Sequence, residues 1–135
     1  MKFLSDYITD KQTELFEEYG VFFAFSDEQL ERQSKPDTEY VSFGGGMVMP
    51  KNENKNVYKE FFAKFNNITK EGIAQDIKEN GKQKIIWREL GNHEASYTGS
   101  AKQTIDALEG YDFTADEIRA EFRLYLENED AREEA

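Results

Sequence analysis

Apolar residues at Leu4, Ile8, Leu15, Phe16 and Tyr19 recur near the helical period, which predicts a first helix. Ser5 or Asp6 is placed to cap it, and Gly20 to stop it. Asp6, Asp10, Glu14 and Glu17 fall on its outer side. Val21 to Phe25 is too short and too continuously apolar for a helix, so it reads as a buried strand. Ser26 with Gln29 has the spacing of a capping box and opens a short helix that ends before Pro36. Glu39 to Phe43 alternates polar and apolar residues, the pattern of a half-buried strand.

Gly44-Gly45-Gly46 then leads to Met47-Val48-Met49 and Pro50. No Lys-Ser or Lys-Thr follows the glycines, which excludes a phosphate-binding loop and leaves a bulge or bend in an edge strand. Asn52 or Asn54 can cap a helix whose face carries Val57, Tyr58, Phe61, Phe62 and Phe65. Thr69 is placed to start another helix through Ile73 and Ile77, closed by Asn80-Gly81. Two more capping boxes, Ser100 with Gln103 and Thr114 with Glu117, open helices carrying Ile105 and Leu108, then Ile118, Phe122, Tyr125 and Leu126. The expected fold is α+β: a mostly helical single domain over residues 1–126, with a small antiparallel sheet from 21–25 and 39–49. Residues 127–135 form a charged C-terminal tail. Phe22, Phe23, Phe25, Phe61, Phe62, Phe65, Trp87, Leu90, Ile118 and Phe122 are expected to supply mainly one core.

The chemically densest stretch runs from Trp87 to Ser100 and holds the only Trp and the only His. On a continuous helix, Ile86, Leu90, His93 and Tyr97 would line one face. Gly91 inside that pattern points to a helix end or to close approach of another element. If the chain is an enzyme, His93 with Glu94 or Glu89 is the group able to run general acid–base chemistry. The competing expectation is a structural His93, hydrogen-bonded near the Thr98-Gly99 turn.

Composition narrows the roles. A net charge of −11 argues against a surface that grips nucleic acid directly, and favours basic partners or imitation of a polyanion. The last two helices could be taken for a helix-turn-helix, but Asp116, Glu117 and Glu121 offer phosphates a poor surface. Absence of Cys removes disulfides and thiolate sites together, and one His leaves too few ligands for a transition metal, so neither metal nor cofactor is expected. No apolar run reaches membrane-spanning length and no basic-then-apolar leader is seen, so no membrane partner and a cytoplasmic location are expected. The acidity belongs to the two ends: residues 1–31 carry two Lys against eight acids, while residues 51–89 carry nine cations against six acids.

Three pieces of the chain are informative together. They are Glu18-Tyr19-Gly20-Val21-Phe22-Phe23-Ala24-Phe25-Ser26 with Glu28-Gln29; Leu90 with Asn92-His93-Glu94-Ala95 and Tyr97-Thr98-Gly99; and Ala107-Leu108, Gly110-Tyr111, Phe113-Thr114 and Glu117-Ile118. In this order they resemble a family of small uncharacterised proteins encoded by phages, prophages and plasmids of bacteria. Ser100 follows Gly99 where that family leads one to expect Asp, and either residue caps a helix. The resemblance implies an origin and carries no catalytic residues with it. It suggests a small acidic protein that binds and inhibits a host protein with a basic nucleic-acid-binding surface. An anti-defence inhibitor of the anti-CRISPR or anti-restriction kind would fit, as would an accessory interaction protein. The residues expected to make contacts are Asp10, Glu14, Glu17, Asn92, His93, Glu94, Tyr97 and Glu121.

Overall fold

A computed structural model describes residues 1–128; the expected tail beyond Asn128, including Glu129, lies outside the described residues. The fold is α+β, mostly helical with one small antiparallel sheet. The chain gathers into two compact units, Met1–Thr69 and Lys70–Ala135.

In the first unit, helix α1 spans Leu4–Tyr19. Phe3 is its N-cap, and Asp6 reaches back to accept a hydrogen bond from the Phe3 amide at 2.7 Å, so the helix starts slightly before the residues placed to cap it. Gly20 ends it with φ +69°, and the Val21 amide donates to the Phe16 carbonyl at 2.8 Å, as a left-handed cap requires. Strand β1 (Phe22–Phe23) follows, then helix α2 (Asp27–Gln33), strand β2 (Tyr40–Ser42) and strand β3 (Met47–Pro50). The sheet order is β1-β3-β2, with Phe22 opposite Val48 and Val41 opposite Met49. Gly44 to Gly46 form the loop of the β2–β3 hairpin rather than a bend in an edge strand. All three have positive φ, and the loop is closed by the Phe43 amide donating to the Met47 carbonyl and the Met47 amide to that of Gly44, each at 3.0 Å.

Helix α3 runs without interruption from Asn56 to Asn80, about 37 Å at the helical rise, where a break at Thr69 was expected. The Thr69 hydroxyl donates to the Phe65 carbonyl within the helix, so it caps nothing. Asn54 accepts from the Asn56 amide at 3.1 Å and does open the helix. The aromatic stripe of α3 meets Leu15, Val21 and Met49 around Phe61, which has no exposed surface. Phe61 touches the rings of Phe16, Tyr19, Phe62 and Phe65 at centroid distances of 5.1–6.2 Å. Of the residues expected to supply mainly one core, Trp87, Leu90, Ile118 and Phe122 belong to the second unit, and two others are exposed, Phe23 by 38% and Phe25 by 74%. Strand β1 is only two residues long and lies at the sheet edge, and Phe25 falls beyond its end.

In the second unit, Gly81 separates the end of α3 from helix α4 (Lys82–Asn92), which buries Ile85, Ile86, Arg88 and Leu90. Helices α5 (Ala95–Thr98) and α6 (Lys102–Ala107), a 3-10 turn over Glu109–Tyr111 and helix α7 (Ala115–Glu127) complete it. Thr114 caps α7 by accepting from the Glu117 amide at 3.1 Å. Ser100 accepts from Lys102 rather than from Gln103, and Ala101 is the N-cap of α6. The Trp87 and Tyr125 rings join α4 to α7 edge-to-face at 5.9 Å.

Phe61→Ala is expected to cost about 3–5 kcal/mol, because a fully buried ring leaves a cavity. Tyr97→Ala, at a side chain 90% exposed, should stay within about 0.5 kcal/mol of the parent. Urea unfolding followed by circular dichroism checks both, and equal midpoints for the two variants would contradict the core assignment.

Candidate functional site

Helix α4 ends at Asn92, one residue past Gly91, in keeping with the helix end that this glycine suggested. Glu94 takes a left-handed conformation with φ +52°, which ends α4 at Asn92 and starts α5 in a new direction. The Glu94 carbonyl accepts from the Tyr97 and Thr98 amides at 3.0 Å each, closing that turn. The shared face of Ile86, Leu90, His93 and Tyr97 is therefore lost. Ile86 and Leu90 are buried, His93 is half-buried, and Asn92, Glu94 and Tyr97 are exposed. The imidazole of His93 makes no hydrogen bond or ion pair among the described residues, contrary to the expected bond near Thr98-Gly99. Glu89 turns its carboxylate toward the Arg88 Nε at 3.6 Å, and so belongs to a different cluster.

That cluster was not anticipated. Asp76 on α3 has no exposed surface and receives both guanidinium Nη atoms of Arg88, at 2.9 and 3.0 Å. The Tyr111 hydroxyl donates to the same carboxylate at 2.5 Å, and the Asn80 amide at 2.8 Å. Burial alone would push the Asp76 pKa up, but the hydrogen bonds from Arg88, Tyr111 and Asn80 outweigh it and hold the carboxyl below its ordinary range. Burial and the Asp76 charge both push the Tyr111 hydroxyl well above its ordinary value. A charged pair this dry is expensive to form and more expensive to break singly. The sequence offered only a weak signal: Arg88 stands between Ile85 and Ile86 and the following Leu90, three of the four apolar residues of α4.

The acidic residues divide by use. Glu117 pairs with Lys82 at 2.6 Å, and Asp116 with Arg119 at 3.5 Å. Glu121 accepts from the Trp87 indole at 2.9 Å and from Gln83 at 3.2 Å, so it is engaged inside its own unit. Glu18 pairs with Lys64, which also lies 5.1 Å over the Tyr19 ring. Asp10, Glu14 and Glu17 are exposed and make no ion pair among the described residues. With Asp6 they fall within about 80° of the α1 surface and along about 17 Å of its length. Leu15, which is buried, and Phe16 and Tyr19, which pack on the same core, lie around the opposite side of the helix. Like charges at i, i+4 mildly destabilise a helix, so this arrangement is maintained against a local cost.

Asp76→Asn should destabilise the second unit by about 3–5 kcal/mol, because it strands a buried guanidinium. Tyr111→Phe should cost about 1.5–3 kcal/mol, the range for a hydrogen bond to a charged group. The depressed Asp76 contributes stability above the ordinary carboxylate pKa of about 3.9, and that contribution is lost as pH falls through the folded value. The raised Tyr111 contributes fully below about pH 10 and loses that contribution as pH climbs through its folded value. Unfolding midpoints read by Trp87 fluorescence across pH check both limbs. A Tyr111→Phe variant with the parental alkaline limb would contradict the assignment.

Among the described residues no helix is long and apolar enough to cross a membrane, and no group of three or more His, Cys, Asp or Glu is placed to hold a metal ion. No curated protein and no solved structure gives a significant match. Residues 4–133 match a family of unknown function, DUF7659. That span is nearly the whole chain, and the protein belongs to this family.

Proposed function

We propose that the protein binds a host macromolecule through the acidic face of α1 and inhibits it by imitating a polyanion. The observation that carries this reading is the row of Asp10, Glu14 and Glu17, exposed and without an ion pair among the described residues. By contrast, Glu18, Glu117 and Glu121 have partners inside the fold. A helix presenting carboxylates at intervals of one turn offers a basic nucleic-acid groove the charge it normally meets on phosphates. The partner class is a host protein with such a groove; an origin on a bacterial mobile element and a cytoplasmic site of action accompany the reading. A restriction enzyme or a CRISPR effector complex is the kind of target this chemistry fits.

The test is displacement of a labelled DNA duplex from purified restriction enzymes and CRISPR effector complexes, followed by gel mobility. The wild-type chain should release the duplex from at least one of them at near-stoichiometric amounts. The Asp10→Lys, Glu14→Lys, Glu17→Lys triple variant should not, while keeping its circular dichroism spectrum. Release from none of them, or equal release by the triple variant, would contradict the proposal.

A further inference from the structure

The face just described does not account for a second surface feature, the aromatic pair Phe23 and Phe25. Their rings stack at a centroid distance of 6.4 Å and an interplanar angle of 15°, and both are exposed. Exposed Phe at and just beyond the end of a two-residue edge strand would ordinarily be loosely held, yet here the backbone is strapped in place. Gln29 accepts from the Phe25 amide at 2.8 Å, and Gln33 donates to the Phe23 carbonyl at 2.9 Å. The Ala24 amide donates to the Gly46 carbonyl at 2.8 Å from the other side. The Phe25 ring lies against Gly46 so closely that a Cβ there would sit 2.5 Å from it. Helix α2 and the hairpin loop thus fix the backbone of the pair while its ring surface stays open.

The charge around this platform selects its occupant. Phe23 packs edge-to-face on Phe16 of α1 at 5.6 Å, and Glu17 of the acidic row is the next residue. From Lys11 to Gln33 the chain carries six carboxylates against two cations, and one of these, Arg32, is paired with Glu28 at 3.1 Å. A second copy of the chain is disfavoured as occupant, because each copy carries a net charge of −11. An apolar partner surface would offer nothing to the carboxylates of Asp27 and Glu28, two and three residues after Phe25. A guanidinium satisfies both features, since it stacks on aromatic faces and pairs with carboxylates, whereas an ammonium is more strongly hydrated and less suited to stacking. We infer that the stacked Phe23–Phe25 pair is a docking platform for an arginine-bearing segment of a basic protein partner. The inference rests on the reading of α1 as the binding face and supplies its preference for arginine over lysine.

The experiment compares labelled nona-arginine and nona-lysine peptides binding to the full chain, by fluorescence polarisation at physiological salt. Nona-arginine should bind more tightly by about two- to fivefold, the size expected of an exposed cation–π contact. Phe25→Ala and Phe25→Leu should abolish that preference, the second keeping apolar bulk while removing the ring. The Asp10, Glu14 and Glu17 charge reversal should weaken both peptides alike and keep the preference. Equal binding of the two peptides to wild type, or a preference that survives both Phe25 variants, overturns the inference and leaves the α1 reading standing. Peptide affinities unmoved by the charge reversal would instead remove the α1 reading on which it rests. A wild-type dimer in sedimentation that Phe25→Ala dissolves would assign the platform to self-association and also overturn it.

Discussion

The second unit depends on one ion pair that water does not reach. Asp76 and Arg88 side chains are 0% and 3% exposed, and their attraction is useful only because Tyr111 and Asn80 complete the carboxylate's hydrogen bonds. Three elements are tied by it: the C-terminal part of α3, helix α4 and the 3-10 turn before α7. The same unit buries Ile85, Ile86, Leu90, Leu108 and Ile118. The consequence for function is indirect but definite. Of the chemistry between Trp87 and Ser100, the first three residues are absorbed in building this unit: Glu89 faces Arg88, Trp87 donates to Glu121, and the Glu89 carbonyl accepts from Thr104.

The first unit solves a different problem. Its interior is aromatic, with Phe61 at the centre, and flat rings pack well only where several elements converge. Helix α1 supplies one wall through Leu15, Phe16 and Tyr19, which leaves its opposite side free of any packing role. Residues on such a side are under little structural constraint, and four carboxylates in a narrow row are not what helix stability alone would select. This division between a packed face and a charged face is the physical basis for proposing α1 rather than α7 as the binding element. Asp116, Glu117 and Glu121 of α7 have partners in Arg119, Lys82 and Trp87.

Local chemistry was legible in the sequence and long-range chemistry was not. Gly20, Ser26 with Gln29, Asn80-Gly81 and Thr114 with Glu117 marked element ends correctly, because each acts through neighbours within about one turn. Thr69 was misleading, since a Thr hydroxyl satisfied by the Phe65 carbonyl looks the same in sequence as one about to cap a helix. Glu94 gave no warning either: a left-handed non-glycine residue has no composition cue, and it redirected the chain away from the expected His93 face. The Asp76, Arg88 and Tyr111 cluster joins residues 12 and 35 positions apart, beyond the reach of periodicity. The acidic row of α1 was readable because helical spacing alone places those carboxylates together. What spacing could not supply was that Glu18 has a partner while Asp10, Glu14 and Glu17 have none among the described residues.

Electrostatic recognition by an exposed face has a kinetic signature that apolar docking lacks. The most direct measurement is therefore the salt dependence of association and dissociation rates for the complex with a target identified by DNA displacement. Exposed charges are screened beyond about 8–10 Å at physiological ionic strength, so raising salt from low to half-molar should slow association steeply and change dissociation little. An association rate indifferent to salt over that range would contradict recognition through the acidic face of α1.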